Sequence, residues 1–255
     1  MKRFKIQQTY FALIMLILSV LLITGCGSDL EDLLPNPNDD TAPTVLSTEP
    51  ADIALDVAIN RKIIATFDEA MNPDKITDAG TFTLTGAITG VVAGPVTYSV
   101  INHIAIFTPS VNLTAGLHTA TITTAAKDVS DNALAAAKTW SFIVGLSEDI
   151  TKPEVSSISP VDNATDVKTD TDINVTFNEV MDPETITGTT FTLETSTGPI
   201  PVAGIVTCTG TAATFNPAIN LIRGIEYIAR VTIEVADLAG NTMMIEKEWS
   251  FTTGN

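Results

Sequence analysis

The stretch TFDEAMNPDKIT at residues 66–77 returns 110 positions later as TFNEVMDPETIT at residues 176–187. The echo runs well beyond that phrase. Thr41, Pro43 and Val45 match Thr151, Pro153 and Val155, and Pro50 matches Pro160. Phe82-Thr83-Leu84 matches Phe191-Thr192-Leu193, and Asp128, Asn132 and Trp140-Ser141-Phe142 match Asp237, Asn241 and Trp249-Ser250-Phe251, one position short of the same offset. Order is kept and the drift is small, so the chain is one unit built twice, and each half is expected to bury its own core.

Each copy is a series of short β-prone runs divided by Gly, Pro, Asn and Asp. In the second copy Ile225, Tyr227, Ala229, Val231 and Ile233 alternate with Glu226, Ile228, Arg230, Thr232 and Glu234, a period of two with one face toward a core. Further strand candidates lie near 154–159, 171–178, 189–194, 200–207, 211–216 and 246–253. Seven short strands at this spacing predict an antiparallel β-sandwich, so the fold class is all-β with two tandem sandwiches and little helix.

The N-terminus is of another kind. Lys2, Arg3 and Lys5 precede an apolar run at 11–23, too short to span a bilayer comfortably and of signal-peptide length. It ends in LITGC at 22–26, which resembles the bacterial lipobox. That resemblance implies lipidation of Cys26 and attachment to the cell envelope. Gly27 rather than Asp follows the cysteine, which implies the outer membrane in a two-membrane cell. The competing reading is an ordinary cleaved leader with an incidental cysteine. Residues 27–41, rich in Asp, Asn and Pro, read as a flexible tether. The expected organisation is a leader at 1–25, the lipidated cysteine and tether at 26–41, one domain at 42–145, a linker at 146–152 and a second domain at 153–255.

Loss of the three basic leader residues takes the formal net charge from −17 to −20. So acidic a surface repels nucleic acid and anionic lipid headgroups, and can attract divalent cations. Cys208 sits in an apolar, Thr-rich run and is expected to be a buried, inert thiol.

The T-x-P-x-V opening, the F-x-E-x-M-x-P phrase, the D-x-x-x-N turn and the closing W-S-F occur in both copies. Together they resemble the bacterial Ig-like domain of the S-layer-protein type. The resemblance implies a seven-stranded Ig-like sandwich used as a spacer or display module. Such modules often precede an effector domain, and none is expected within this chain.

Read physically, the repeated acidic phrase is a strand, a corner and a helical turn. Asn72 or Asp182 caps the turn, Pro73 or Pro183 opens it, and Asp74 or Glu184 lies in its first turn. Met71 or Met181 and Ile76 or Ile186 return to the core. A catalytic reading of Glu69 and Glu179 requires two carboxyls on one substrate, whereas these lie in separate modules, and no catalytic residue is assigned. His103 and His118 fall in the first copy alone; His118 aligns with Tyr227 as a substitute in a tyrosine-corner position. No His/Cys cluster suits zinc.

Asp128, Asp131 and Asn132, with Asp237 and Asn241, offer clustered oxygens for calcium, and Glu148 and Asp149 lie at the joint. Calcium takes about six to eight oxygens, and each turn brings only two or three. The plainer reading is a hairpin turn, with Gly240 at a positive φ. The expected function is a non-catalytic, lipid-anchored surface protein with a spacer or adhesion role. Its partners are the membrane, through Cys26, and another surface protein or a polysaccharide; nucleic acid is excluded. The rivals are a polysaccharide- or protein-binding module, marked by an exposed apolar or aromatic patch, and a rod stiffened by calcium. An enzyme would need a deep pocket holding shifted carboxylates.

Overall fold

Alternating burial along short strands builds two separate sandwiches in a computed structural model that describes residues 34–254. The first holds β1 (Val45–Glu49), β2 (Ile63–Phe67), a short helix α1 (Pro73–Thr77), β3 (Phe82–Gly86), β4 (Gly90–Val92), β5 (Val96–Ser99), β6 (Ile104–Phe107), β7 (Gly116–Ile122) and β8 (Lys138–Val144). Its sheets have the orders β1-β2-β6-β5 and β4-β3-β7-β8. The second holds β9 (Val155–Ser159), β10 (Ala164–Val167), β11 (Ile173–Phe177), β12 (Phe191–Thr195), β13 (Gly204–Thr209), β14 (Ala212–Pro217), β15 (Glu226–Val231) and β16 (Lys247–Thr253). Its sheets are β13-β14-β11-β9 and β10-β16-β15-β12.

Eight strands per module, one more than the seven anticipated, come from two short additions. In the first copy β4 pairs with β3 through a tight turn. In the second, β10 runs parallel to β16, where the first copy has only the parallel bridge Val57–Val144. All other strand pairs are antiparallel.

The two cores are built from equivalent residues and share none. Phe67, Met71, Ile76, Phe82, Trp140 and Phe142 close the first; Phe177, Met181, Ile186, Phe191, Trp249 and Phe251 close the second. Phe82 packs on Trp140 at 5.7 Å between ring centres, as Phe191 does on Trp249 at 6.1 Å. The corner forms as its residues require in the first copy, where Asn72 Oδ1 accepts from the Asp74 amide at 3.1 Å and Pro73 opens α1. In the second copy Asp182 makes the same cap on Glu184, but the chain continues as a turn, not a helix.

His118 and Tyr227 occupy the same register position, opposite Phe142 and Phe251. Tyr227 Oη accepts from the Ile222 amide at 2.9 Å, whereas His118 Nδ1 lies 3.1 Å from the Gly116 carbonyl. Cys208 is buried, and burial, followed by the Asp182 charge, pushes its thiol up to about 12.

A third, small apolar cluster joins the modules. Ile64, Ile104 and Ile106, on the outward face of the β2–β6 pair, pack with Leu238 and Val180 of the second module. Their equivalents in the second copy, Asn174, Ala212 and Thr214, are exposed or half-exposed. The Lys62 amide donates to the Leu238 carbonyl at 2.9 Å, and the Cys208 amide to Asn102 Oδ1 at 2.9 Å.

Candidate metal centre

Each module opens on three carboxylates that the sequence keeps far apart. Asp39, Glu69 and Asp128 bring carboxylate oxygens within 4.8 Å of one another, and so do Asp149, Glu179 and Asp237. The members are equivalent pair by pair in the repeat.

The assembly of each triad follows from backbone pairing. Met71 bridges Asp128 and Met181 bridges Asp237, so the strand end that carries the glutamate lies against the turn that carries the aspartate. Asn72 donates its amide to the Lys127 carbonyl at 2.8 Å, and Asp182 to the Ala236 carbonyl at 2.8 Å. The entry segment is drawn in beside them. The Thr44 amide donates to Asp68 Oδ1 at 2.7 Å in the first copy, and the Glu154 amide to Asn178 Oδ1 at 2.8 Å in the second. Asp39 and Asp149 are the residues this entry path delivers.

Asp128 and Asp237 are buried at 0% and 1% exposure, yet fully held. Asn132 donates its amide to Asp128 Oδ1 and its side chain to Oδ2, both at 2.8 Å. Asn241 does the same for Asp237 at 2.8 and 2.9 Å. The same Asn132 and Asn241 side chains reach the carbonyls of Asp39, at 3.1 Å, and Asp149, at 3.0 Å. The two asparagines therefore orient the site rather than crowd it. The turn also matches its plainer reading: Gly240 has φ 90° and the equivalent Asp131 has φ 75°.

Of the residues singled out from sequence, Asp128 and Asp237 belong to the triads, and Asn132 and Asn241 brace them. Asp131 does not join: it is exposed and pairs with Lys127 at 2.8 Å, which holds its carboxyl below the usual range. Glu148 binds Asn112 instead, at 2.8 Å. Cys26 lies outside the described residues. Sequence reasoning missed Glu69 and Glu179, which it assigned to the corner alone, and Asp39 of the tether. It placed Asp149 at the joint without its partners.

Three like charges this close repel one another, and a bound cation would relieve that repulsion. Glu179 shows the strain. Burial first, then the charges of Asp237 and Asp149, push its carboxyl up to about 7, and its buried Oε1 lacks a hydrogen-bond partner. The donors are all hard oxygens, which suit calcium or magnesium over copper or zinc.

The second triad also meets the first module. Asn60 donates from Nδ2 to the Asp149 carbonyl at 3.0 Å and to the Ala239 carbonyl at 3.4 Å, and its Oδ1 accepts from the Asp149 amide at 2.9 Å. A groove of about 390 Å³ lined by Glu49, Arg61 and Asp149, among others, runs past this joint.

Two sandwiches in series, each fastened at its entry by the same buried aspartate turn, define a tandem Ig-type modular protein. The bacterial Ig-like domain family matches residues 39–144 and again 149–253, and the chain belongs to that family. Among solved structures it is similar to CopC from Methylosinus trichosporium OB3b, at 16% identity over 40% of this chain and 93% of that one, with a TM-score of 0.34. It is also similar to PcoC, a methionine-rich copper resistance protein from Escherichia coli, at 21% identity over 41% and 99% of the two chains, with a TM-score of 0.33. The N-terminal part of the bacterial S-layer protein SbsC aligns over 83% of this chain and 44% of its own, at 14% identity and a TM-score of 0.33. Likeness at this level carries no inference about function. No curated protein matches the chain.

Proposed function

We propose that this protein is a non-catalytic, lipid-anchored spacer of the cell surface, whose two entry joints are stiffened by bound calcium. The anchor is Cys26, and the envelope is the site of action, on the outer membrane where the cell has two. The observation that carries the reading is the duplication of the carboxylate triad at the start of each module. In both places one ligand comes from the incoming segment, Asp39 or Asp149, and two from the module itself. A cation held there ties the tether to the first module and the linker to the second. In the second joint Asn60 extends that grip to the preceding module. A spacer gains from such joints because reach depends on the angle between modules, and a fixed angle converts two sandwiches into a rod.

The test is thermal melting of residues 34–255, which hold both complete cores, in calcium and then in excess chelator. A cation at 100 times its dissociation constant adds about 2.7 kcal/mol per site, which moves the transition up by several degrees. Identical melting curves in the two buffers reject the cation-stiffened joint.

A further inference from the structure

Comparison of the two copies separates residues the fold requires from residues it does not. At the joint between modules the outward isoleucines Ile64, Ile104 and Ile106 of the first copy stand where the second has Asn174, Ala212 and Thr214. The first copy is aliphatic there because another module covers it. The same substitution pattern occurs on the outward face of the opposite sheet, and nothing in the described chain covers it.

That face is built on β7 and β8. Leu117 and Ile143 are direct cross-strand partners, 49% and 44% exposed. Beside β8 runs the segment 53–57, where the Ile53 amide donates to the Ser141 carbonyl at 2.7 Å and the Ile143 amide to the Ala54 carbonyl at 2.8 Å. It adds Ile53 and Leu55, 81% and 72% exposed. Ile88, 82% exposed, follows the residue whose amide donates to the Leu117 carbonyl. The second copy has the same hydrogen bonds, Asn163 to Ser250 at 2.8 Å and Ser196 to Glu226 at 2.9 Å. Yet its five equivalents are Asn163, Thr165, Thr197, Glu226 and Thr252. The fold therefore does not require an aliphatic face at this place.

Ile53 makes the point most sharply. Its φ is 61°, in the left-handed region that a β-branched residue avoids, and Asn163, with φ 59°, is the residue type that tolerates it. The first copy keeps a strained, exposed isoleucine where its twin has the relaxed polar choice.

We propose that this face is a self-association surface, and that its occupant is the same face of a second copy of this chain. The five residues expose on the order of 600 Å² in all, and two copies face to face bury at most about twice that, the lower edge of a specific interface. None of the five is charged, in a chain of net charge −17. Two such acidic chains repel each other elsewhere, so the aliphatic patch is where they can meet, with the exposed Asp52 and Asp56 at its edge. A flat aliphatic patch is self-complementary across a two-fold axis. It has no aromatic ring on which a sugar could stack. The proposal does not depend on the cation sites.

The experiment is sedimentation equilibrium of residues 34–255 over low to high micromolar concentration, with and without calcium, for the natural chain and the L117E/I143T variant. Both substitutions are the second copy's own residues at the same backbone positions, and I143T alone serves if the pair does not fold. The expected result is a concentration-dependent dimer that the variant converts to monomer, with its melting temperature within a few degrees of the natural chain. A natural chain that stays monomeric at high micromolar concentration overturns the proposal, even if its patch binds lipid vesicles or a different protein. So does a dimer that L117E/I143T leaves intact.

Discussion

Lys62 Nζ, on the first module, lies 2.6 Å from Asp182 Oδ2 on the second. Glu184 stands on its other side at 3.2 Å. Burial works against the lysine's charge, but the two carboxylates outweigh it and hold its pKa above the ordinary value. The equivalent of Asp182 in the first copy is the neutral cap Asn72. The acidic cap thus serves both its own turn and the neighbouring module. Replacing Lys62 by Met leaves Asp182 buried without its counter-charge and is expected to cost about 2 kcal/mol. Calorimetry should show the second module melting several degrees earlier while the first is unmoved. An unchanged trace means the contact contributes nothing.

Asp237 has a different role from the glutamate beside it. It is buried and accepts from Asn241 twice and from the Ala239 amide at 2.8 Å. Asp237→Ala strands those donors and should destabilise the second module by about 3 kcal/mol in chelator, and by more in calcium, because it also removes a carboxylate of the triad. Glu179→Gln, at the half-exposed edge of the triad, should leave the chelated protein folded and abolish the second module's share of the calcium-dependent rise.

The pH dependence of the cation-free protein follows from Glu179. Its folded pKa, about 7, lies above the ordinary value of 4.5, so the folded state holds the extra proton between those pH values. Stability from this source is fully present below about pH 4.5 and is lost as pH rises through 7. In chelator, Glu179→Gln should therefore melt higher than the natural chain at pH 8 and level with it at pH 4. In calcium at pH 8 the order should reverse. An equal difference at both pH values in chelator would show that the carboxyl does not titrate in this range.

Tyr227 offers a smaller check on the scaffold. Its hydroxyl is the acceptor for the Ile222 amide. Tyr227→Phe should cost about 1 kcal/mol by leaving that amide unsatisfied, read from a urea melt of the natural and variant chains. His118, at the same place in the first copy, accepts nothing from that loop in the equivalent way, so His118→Phe should cost less.

Most of the scaffold was legible because it is periodic and repeated. Trp140 and Trp249, Met71 and Met181, and the alternation from Tyr227 to Val231 declare buried positions without any knowledge of pairing. The capping turn was readable at Asn72, while Pro183, with the same signals and the same cap from Asp182, opens a turn and no helix. The triads were hidden for a physical reason. Asp39, Glu69 and Asp128 belong to three separate segments, brought together by the Met71–Asp128 bridge, the Thr44–Asp68 bonds and the Asn132 side chain on the Asp39 carbonyl. One signal was available: Asp39 and Asp149 keep the repeat's offset of 110, each also accepting from the amide two residues on. The aliphatic face of the first copy was likewise present in the sequence, but its residues share a surface only once β7, β8 and the segment 53–57 are paired.

The central claim is that each joint holds one divalent cation between its entry segment and its module. Calcium titration of residues 34–255 by isothermal calorimetry at pH 7.5 measures it directly. The account predicts two sites per chain, reduced to one by either Glu69→Gln or Glu179→Gln and to none by both. No heat up to millimolar calcium, or binding that survives the double substitution, contradicts it.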